Sequence, residues 1–170
     1  MHRTKTIIYS ALFAAITGVM AQIVIPLAPV PINGALIAVI LSGVFLGKKT
    51  GPLSLFIYIM AGAVGIPVFA GLQGGVYVLT GPTGGFILGY IPAAYIAGSM
   101  SVGKFINYIF AGLSAVVVCY ITGTAWYIYI TGNTFVSAIS VCVLPFILGD
   151  ILKIFFAAFI AEKICRRRNF

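Results

Sequence analysis

Two acidic side chains occur in the 170 residues, Asp150 and Glu162, against ten lysines and arginines. Glu162 stands beside Lys163 next to the basic tail, where a solvated helix terminus accounts for it. Asp150 lies with Lys153 inside a largely apolar run. Residues three apart share a helix face, so this carboxylate and ammonium can neutralise one another. Either charge alone costs about 2.5–3.5 kcal/mol in the middle of a membrane, and ionisable residues kept there usually mark a solute pathway. A purely structural ion pair is the alternative role.

A second polar feature is Gly71-Leu72-Gln73-Gly74-Gly75, followed by Gly81-Pro82-Thr83-Gly84-Gly85. Glycines let backbone approach a ligand closely, which makes Gln73, Gly74 and Gly75 binding candidates. A helix starting near residue 84 turns its partially positive end toward the same side and favours an anion. A re-entrant packing element would use the same residues. Phe69, Tyr77, Phe86, Tyr90, Tyr120 and Trp126 are available to wall an apolar pocket. One or two of them, Phe69 and Tyr90 foremost, are expected to do so, the others being interfacial or core aromatics.

Several chemistries lack their groups. The single histidine is His2, so neither a Ser-His nor a Cys-His nucleophile can be assembled in the core, and HExxH is absent. A lone membrane aspartate does not make a two-carboxylate dyad. The run Gly43-Val44-Phe45-Leu46-Gly47-Lys48-Lys49-Thr50 has one residue too few between its glycines for a phosphate loop, and Lys49 stands where Ser or Thr is required. Cys119, Cys142 and Cys165 form an odd set without CxxC, which indicates neither a disulfide framework nor a metal site. No cofactor is expected, and the chain is not expected to be an enzyme. Energy for any active transport has to come from other subunits.

These residues must be positioned by membrane helices. The chain is 62% hydrophobic and only 7% charged, where a soluble domain carries about 25% charged residues. Three stretches of about 40 to 55 residues carry no formal charge, each long enough for two spans of about 20 residues. Spans are expected near residues 7 to 27, 32 to 47, 52 to 70, 84 to 101, 105 to 130 and 141 to 163. Pro26, Pro29 and Pro31, Lys48 to Pro52, the segment 71 to 85, Gly103-Lys104 and Thr131 to Thr134 mark the breaks. The first span resembles a cleavable signal peptide, but removing it would leave the basic tail on the wrong side, so it is retained.

All basic residues except Lys153 fall at the ends or in alternate connections, the positive-inside distribution, which argues against a nucleic-acid face despite the net charge of +8. The fold class expected is an all-α membrane protein, a bundle of six transmembrane helices with both termini cytoplasmic, and residues 1–170 are expected to form one transmembrane substrate-binding domain. Segments 28 to 33, 71 to 83 and 131 to 140 then face outward with no charged residue among them. A substrate carboxylate would have to use backbone donors, Lys153 or bulk water. Asp150, about nine residues into the sixth span, would lie roughly 14 Å below the outer surface. Pro145 and Gly149 are expected to loosen the first turns there.

Small residues recur at four-residue spacing, Ala11 and Ala15 in the first helix and Gly81, Gly85, Gly89, Ala93 and Ala97 through the fourth. Such stripes let backbones come close where lipid offers no hydrophobic drive for association. The fourth-helix stripe is expected to pack within the chain, and for the first-helix stripe docking on a partner subunit stands almost level with such packing.

Pro29-Val30-Pro31-Ile32, Leu46-Gly47 with Gly51-Pro52, Gly65-Ile66-Pro67-Val68-Phe69-Ala70-Gly71, Gly74-Gly75, Gly81-Pro82-Thr83-Gly84-Gly85-Phe86, and Gly149-Asp150 with Lys153 together extend from the first helix to the sixth. In these residues the chain resembles BioY, the biotin-specific S component of energy-coupling factor transporters. The resemblance implies a six-helix fold in a prokaryotic cytoplasmic membrane that binds biotin from outside and works with a transmembrane T subunit and two cytoplasmic ATPases. It implies that Asp150 and Lys153 match the family's ligand-contacting pair and that Gln73 occupies a place where relatives can have Asn. Ala11 and Ala15 match the motif by which S components dock on the T subunit. One departure stands out: after Pro31-Ile32 the family commonly has Thr-Leu-Gln, and here Asn33-Gly34-Ala35 leaves Asn33 as the substitute polar side chain. The alternatives are an S component for another small vitamin and a non-transporting membrane scaffold.

Overall fold

The computed structural model describes residues 3–26, 30–100 and 103–167. Pro29, Leu27 at the end of the first expected span, Ser101 at the end of the fourth, and His2 and Arg168 lie outside them. Seven helices occur among the described residues: α1 (Arg3–Ala21), α2 (Ala35–Ala63), α3 (Val76–Thr80), α4 (Gly84–Met100), α5 (Phe105–Thr131), α6 (Phe135–Cys142) and α7 (Ile147–Arg167). A small antiparallel ladder, β1 (Val24–Ile25) against β2 (Ile32–Asn33), joins α1 to α2 with Val24 opposite Asn33.

The expected all-α membrane architecture is observed, and the chain is a multi-pass membrane protein. Three helices are long and apolar enough to cross a bilayer, and the bent pair α6–α7 adds a fourth candidate. α2 is not one span. Gly47 interrupts it with φ 79° and ψ 176°, and Gly51 lies directly against Gly43, which eight residues of straight helix would hold about 12 Å apart. The chain therefore reverses at Gly47, and residues 35–46 and 48–63 form an antiparallel pair. With α1, α4, α5 and α6–α7 this makes six membrane segments.

Boundaries differ from expectation where turn chemistry overrides hydropathy. The first span stops at Ala21, because Val24–Ile25 joins the ladder, and the second starts at Ala35. The third ends at Ala63 instead of 70: Gly65, Gly71, Leu72 and Gly75 take positive φ and fold residues 64–75 back over the helix end. Phe69 then occupies the space left by Gly62, where a Cβ would overlap its ring. The sixth span begins early as α6, capped by the Thr134 hydroxyl accepting from the Ser137 amide, and bends by 50° before α7. Pro145 lies in that break, where its ring and missing N–H cannot continue a helix. Residues 135–140, expected as outer loop, are thus helical.

Close backbone packing holds the segments together. A Cβ on Gly43 would overlap Ala94, and one on Gly85 or Gly89 would overlap Trp126 or Thr122, so α4 is wedged between α2 and α5 along its small-residue face. Ala93 and Ala97 on α4 are fully buried, as expected for packing within the chain. On α1 the inward face is Ser10, Ala14, Thr17 and Ala21, and Ala11 and Ala15 are exposed on the other side.

The two ends of the bundle differ. At one end Phe45, Phe105, Tyr108, Ala161 and Cys165 cluster, and Gly98 abuts Gly47 and Lys48. The α2 reversal, the start of α5 and the end of α7 meet there, together with Lys48, Lys49, Lys104, Lys163 and Arg166. At the other end Val30, Tyr127, Ala138, Cys142 and Phe146 form a second cluster under uncharged loops. The positive-inside rule places the basic end in the cytoplasm. The half-helix 35–46 is only about 18 Å long, well short of a hydrocarbon core of about 30 Å. Its outer part is completed by the ladder and by residues 64–83, irregular backbone of the kind tolerated at membrane depth where it is buried in protein or lines a cavity.

Candidate functional site

That outer end encloses a cavity of about 640 Å³, in the range of small-molecule sites. Its walls are mostly apolar and aromatic. Tyr58 meets Phe69 edge to face at 5.6 Å and Tyr90 at 6.5 Å, and Phe86 stacks on Phe146 at 6.4 Å. Tyr77 and Tyr120 complete the aromatic lining.

Polar groups converge at its buried end. Lys153 Nζ donates to Asp150 Oδ1 at 2.8 Å, and the Tyr120 hydroxyl donates to Asp150 Oδ2 at 2.7 Å. The Asp150 side chain is 5% exposed and that of Lys153 14%. Local sequence explains the placement. Asp150 sits in the first turn of α7, where the partial positive charge of a helix start favours a carboxylate, and its amide closes that turn on the Phe146 carbonyl at 2.8 Å. Lys153 follows one turn later on the same face, and Tyr120 reaches across from α5. The pair foreseen from sequence is in truth a triad, with both carboxylate oxygens occupied and lone pairs left over.

The other candidates separate into those the fold brings together and those it does not. Phe69, Tyr90, Asn33 and Gln73 all line the cavity with Asp150 and Lys153. Asn33 Oδ1 accepts from the Ala35 amide at 3.0 Å, and its side chain stands against the Tyr90 hydroxyl. Gln73 is exposed at the mouth, and its backbone bridges to Phe69 in both directions. Gly74 and Gly75 are not lining residues. A Cβ on Gly74 would press on the backbone of Gly65 and Ile66, and the Gly75 amide donates to the Gly62 carbonyl. Both serve the fold of the loop. The helix start at Gly84 borders the cavity through Gly81, Pro82 and Thr83, but the Gly84 and Phe86 amides are engaged by Gly81 and Thr83. Of the six aromatics named from sequence, five line the cavity, more than the one or two expected. Trp126 alone stays out, donating from Nε1 to the Gly81 carbonyl at 3.0 Å.

Sequence reasoning passed over Tyr58, Phe146 and Gln22. The first two look like any core aromatic in an apolar run, and only their convergence distinguishes them. Gln22 carried a signal, a lone amide in an expected membrane span. Its Nε2 donates to the carbonyls of Gly18, Val68 and Phe69 at 3.0–3.2 Å, and its Oε1 accepts from the Leu72 amide at 2.9 Å. One side chain at the end of α1 thereby ties down the loop that roofs the cavity.

Fold and site together define a multi-pass membrane protein that encloses a small-molecule cavity with an ion-paired triad at its buried end. The chain belongs to the BioY family, whose model matches residues 1–170. It is 43% identical over 162 residues to the "Probable biotin transporter BioY" of Pyrococcus horikoshii, covering 95% of this chain and 97% of that protein. It is 37% identical over 162 residues to the biotin transporter BioY of Thermotoga maritima, covering 94% and 95% respectively. The fold is that of the crystal structure of the S-component for biotin from an ECF-type ABC transporter, with a TM-score of 0.85 over 96% of this chain and 92% of that one at 23% identity.

Proposed function

We propose that this chain captures biotin from outside and delivers it across the cytoplasmic membrane of a prokaryote, as the substrate-binding subunit of an energy-coupling factor transporter. The carrying observation is the Tyr120–Asp150–Lys153 triad at the end of an aromatic cavity. Biotin presents a fused apolar ring, two ureido N–H donors and one ureido carbonyl. The Asp150 carboxylate accepts from the N–H groups, and Lys153, which spends one donor on Asp150, turns another to the carbonyl. Such charge-assisted bonds are roughly twice as strong as neutral ones. Phe69, Tyr90 and Tyr58 pack the ring system, with Asn33 and Gln73 toward the mouth. The names borne by the relatives from Pyrococcus horikoshii and Thermotoga maritima support the same ligand.

The partners are a transmembrane T subunit and two cytoplasmic ATPases, since this chain carries no phosphate loop of its own. Ala11 and Ala15, exposed on α1, form the face offered to the T subunit.

Titration of the purified protein with a panel of vitamins, read by the single tryptophan, Trp126, tests the assignment. Biotin is expected to give saturable binding and the others none. Asp150→Asn and Lys153→Ala are each expected to weaken biotin by at least about 1.5 kcal/mol, roughly tenfold. Equal affinity in wild type and both variants would overturn the role given to the triad.

A further inference from the structure

We propose that this site recognises the ureido ring and leaves the acid end of its ligand unread, so that neutral tail derivatives, the esters and primary amides of the same cyclic urea, belong to its ligand class. This rests on the function proposed above and extends it to specificity.

Lys153 is the single cation among the described residues that line the cavity, and it is held on Asp150 at 2.8 Å. The pair carries no net formal charge, and Tyr120 occupies the remaining carboxylate oxygen. Such a group presents acceptors and a donor side by side, which matches a neutral urea. A ligand carboxylate brought to it would meet Asp150 at close range, and like charges sharing a site repel.

The other basic side chains among the described residues lie toward the opposite end of the bundle. Lys48 adjoins the C-terminal part of α4, and the cavity borders the N-terminal part, a separation of about 25 Å along a 17-residue helix. The sequence places no lysine or arginine between Lys5 and Lys48, between Lys49 and Lys104, or between Lys104 and Lys153, which covers every segment at the cavity end.

Several of the backbone donors at that end are already spent. The amides of Leu72, Gln73 and Gly75 in the roof loop, and of Gly84 and Phe86 at the start of α4, are bonded within the protein. What faces the mouth is neutral: Gln73, Tyr77 and Thr83, the first two exposed to water. An unpaired carboxylate is too costly to bury, so the acid end stays hydrated at that mouth. Converting it to an uncharged group then removes little that the protein supplies.

The test is competition against labelled biotin on the purified full-length protein, with biotin methyl ester, biotin primary amide and 2-iminobiotin as competitors. The ester and the amide are expected within about threefold of biotin, about half a decimal logarithm of affinity. 2-Iminobiotin keeps the acid tail but replaces the ureido carbonyl with a donor, and is expected to be weaker by at least about tenfold. If biotin binds saturably and the neutral derivatives are weaker by more than about thirtyfold, a carboxylate site exists and this inference is wrong, with the biotin assignment intact. Failure of biotin itself to bind removes the assignment and the inference with it.

Discussion

At the scale of single residues, the deciding feature is that Asp150 does not rest on Lys153 alone. A carboxylate with one oxygen free rotates, and its lone pairs do not hold a fixed direction toward a ligand. The Tyr120 hydroxyl, at 2.7 Å, removes that freedom from a group already held by Lys153 at 2.8 Å. Tyr120→Phe keeps the aromatic wall and deletes only this bond. Biotin affinity is therefore expected to fall by about 1.5 kcal/mol, the lower range for hydrogen bonds to a charged group. Isothermal titration of the variant, with its thermal unfolding measured in parallel, checks this. An unchanged dissociation constant would show that Tyr120 is wall and nothing more. The same scale explains why the triad was only partly legible: the spacing of Asp150 and Lys153 is local, but Tyr120 lies thirty residues away and carries no mark distinguishing it from Tyr108 or Tyr127.

Among the elements, α1 and the 64–75 loop form the connection that matters for the site. The loop has four positive-φ positions, one of them the non-glycine Leu72, a costly conformation that persists only when its surroundings fix it. Gln22 supplies that fixation by donating to the Val68 and Phe69 carbonyls and accepting from Leu72 itself. Gln22→Ala leaves the Leu72 amide to find water and takes one of two donors from each of the Val68 and Phe69 carbonyls, on which the Tyr58 hydroxyl and the Gln73 amide remain. Amide hydrogen exchange is expected to accelerate across residues 68–73, with α5 protected as before, and biotin affinity to fall by about 1–2 kcal/mol. Uniform exchange in variant and wild type would mean that the loop is held by Phe69 packing on Gly62 instead. Helix ends followed a similar logic. Apolar content continues past Ala63 in the sequence, but Gly65 and Pro67 stop the helix there, and Pro145 splits α6 from α7.

For the whole molecule, the cavity sits under the uncharged loops at one end, and the described basic residues other than Lys153 gather at the other. Between them runs α1, with one face packed on the bundle and Ala11 and Ala15 turned outward. Replacing both by leucine adds bulk where a partner's backbone would approach and touches nothing in the cavity. The double variant is expected to bind biotin as wild type does, and to lose co-purification with the T subunit and the ATPases by at least about tenfold. Retained co-purification, judged by gel after affinity capture from the native membrane, would move the docking face elsewhere.

Hydropathy determined the membrane class and the number of segments, and the basic residues other than Lys153 set the orientation expected for them, because each depends on local composition summed over a span. The spacing of Asp150 and Lys153 likewise named the acid–base pair, since three residues on a helix are one face whatever surrounds them. Only the tertiary structure decided that Tyr120 completes the pair, that Gly74 and Gly75 shape the loop instead of lining the cavity, and that five aromatics share one wall. Those outcomes depend on contacts between residues far apart in the chain. Their energies come from which backbones approach closely enough to pack, as Gly43, Gly85 and Gly89 allow α2, α4 and α5 to do.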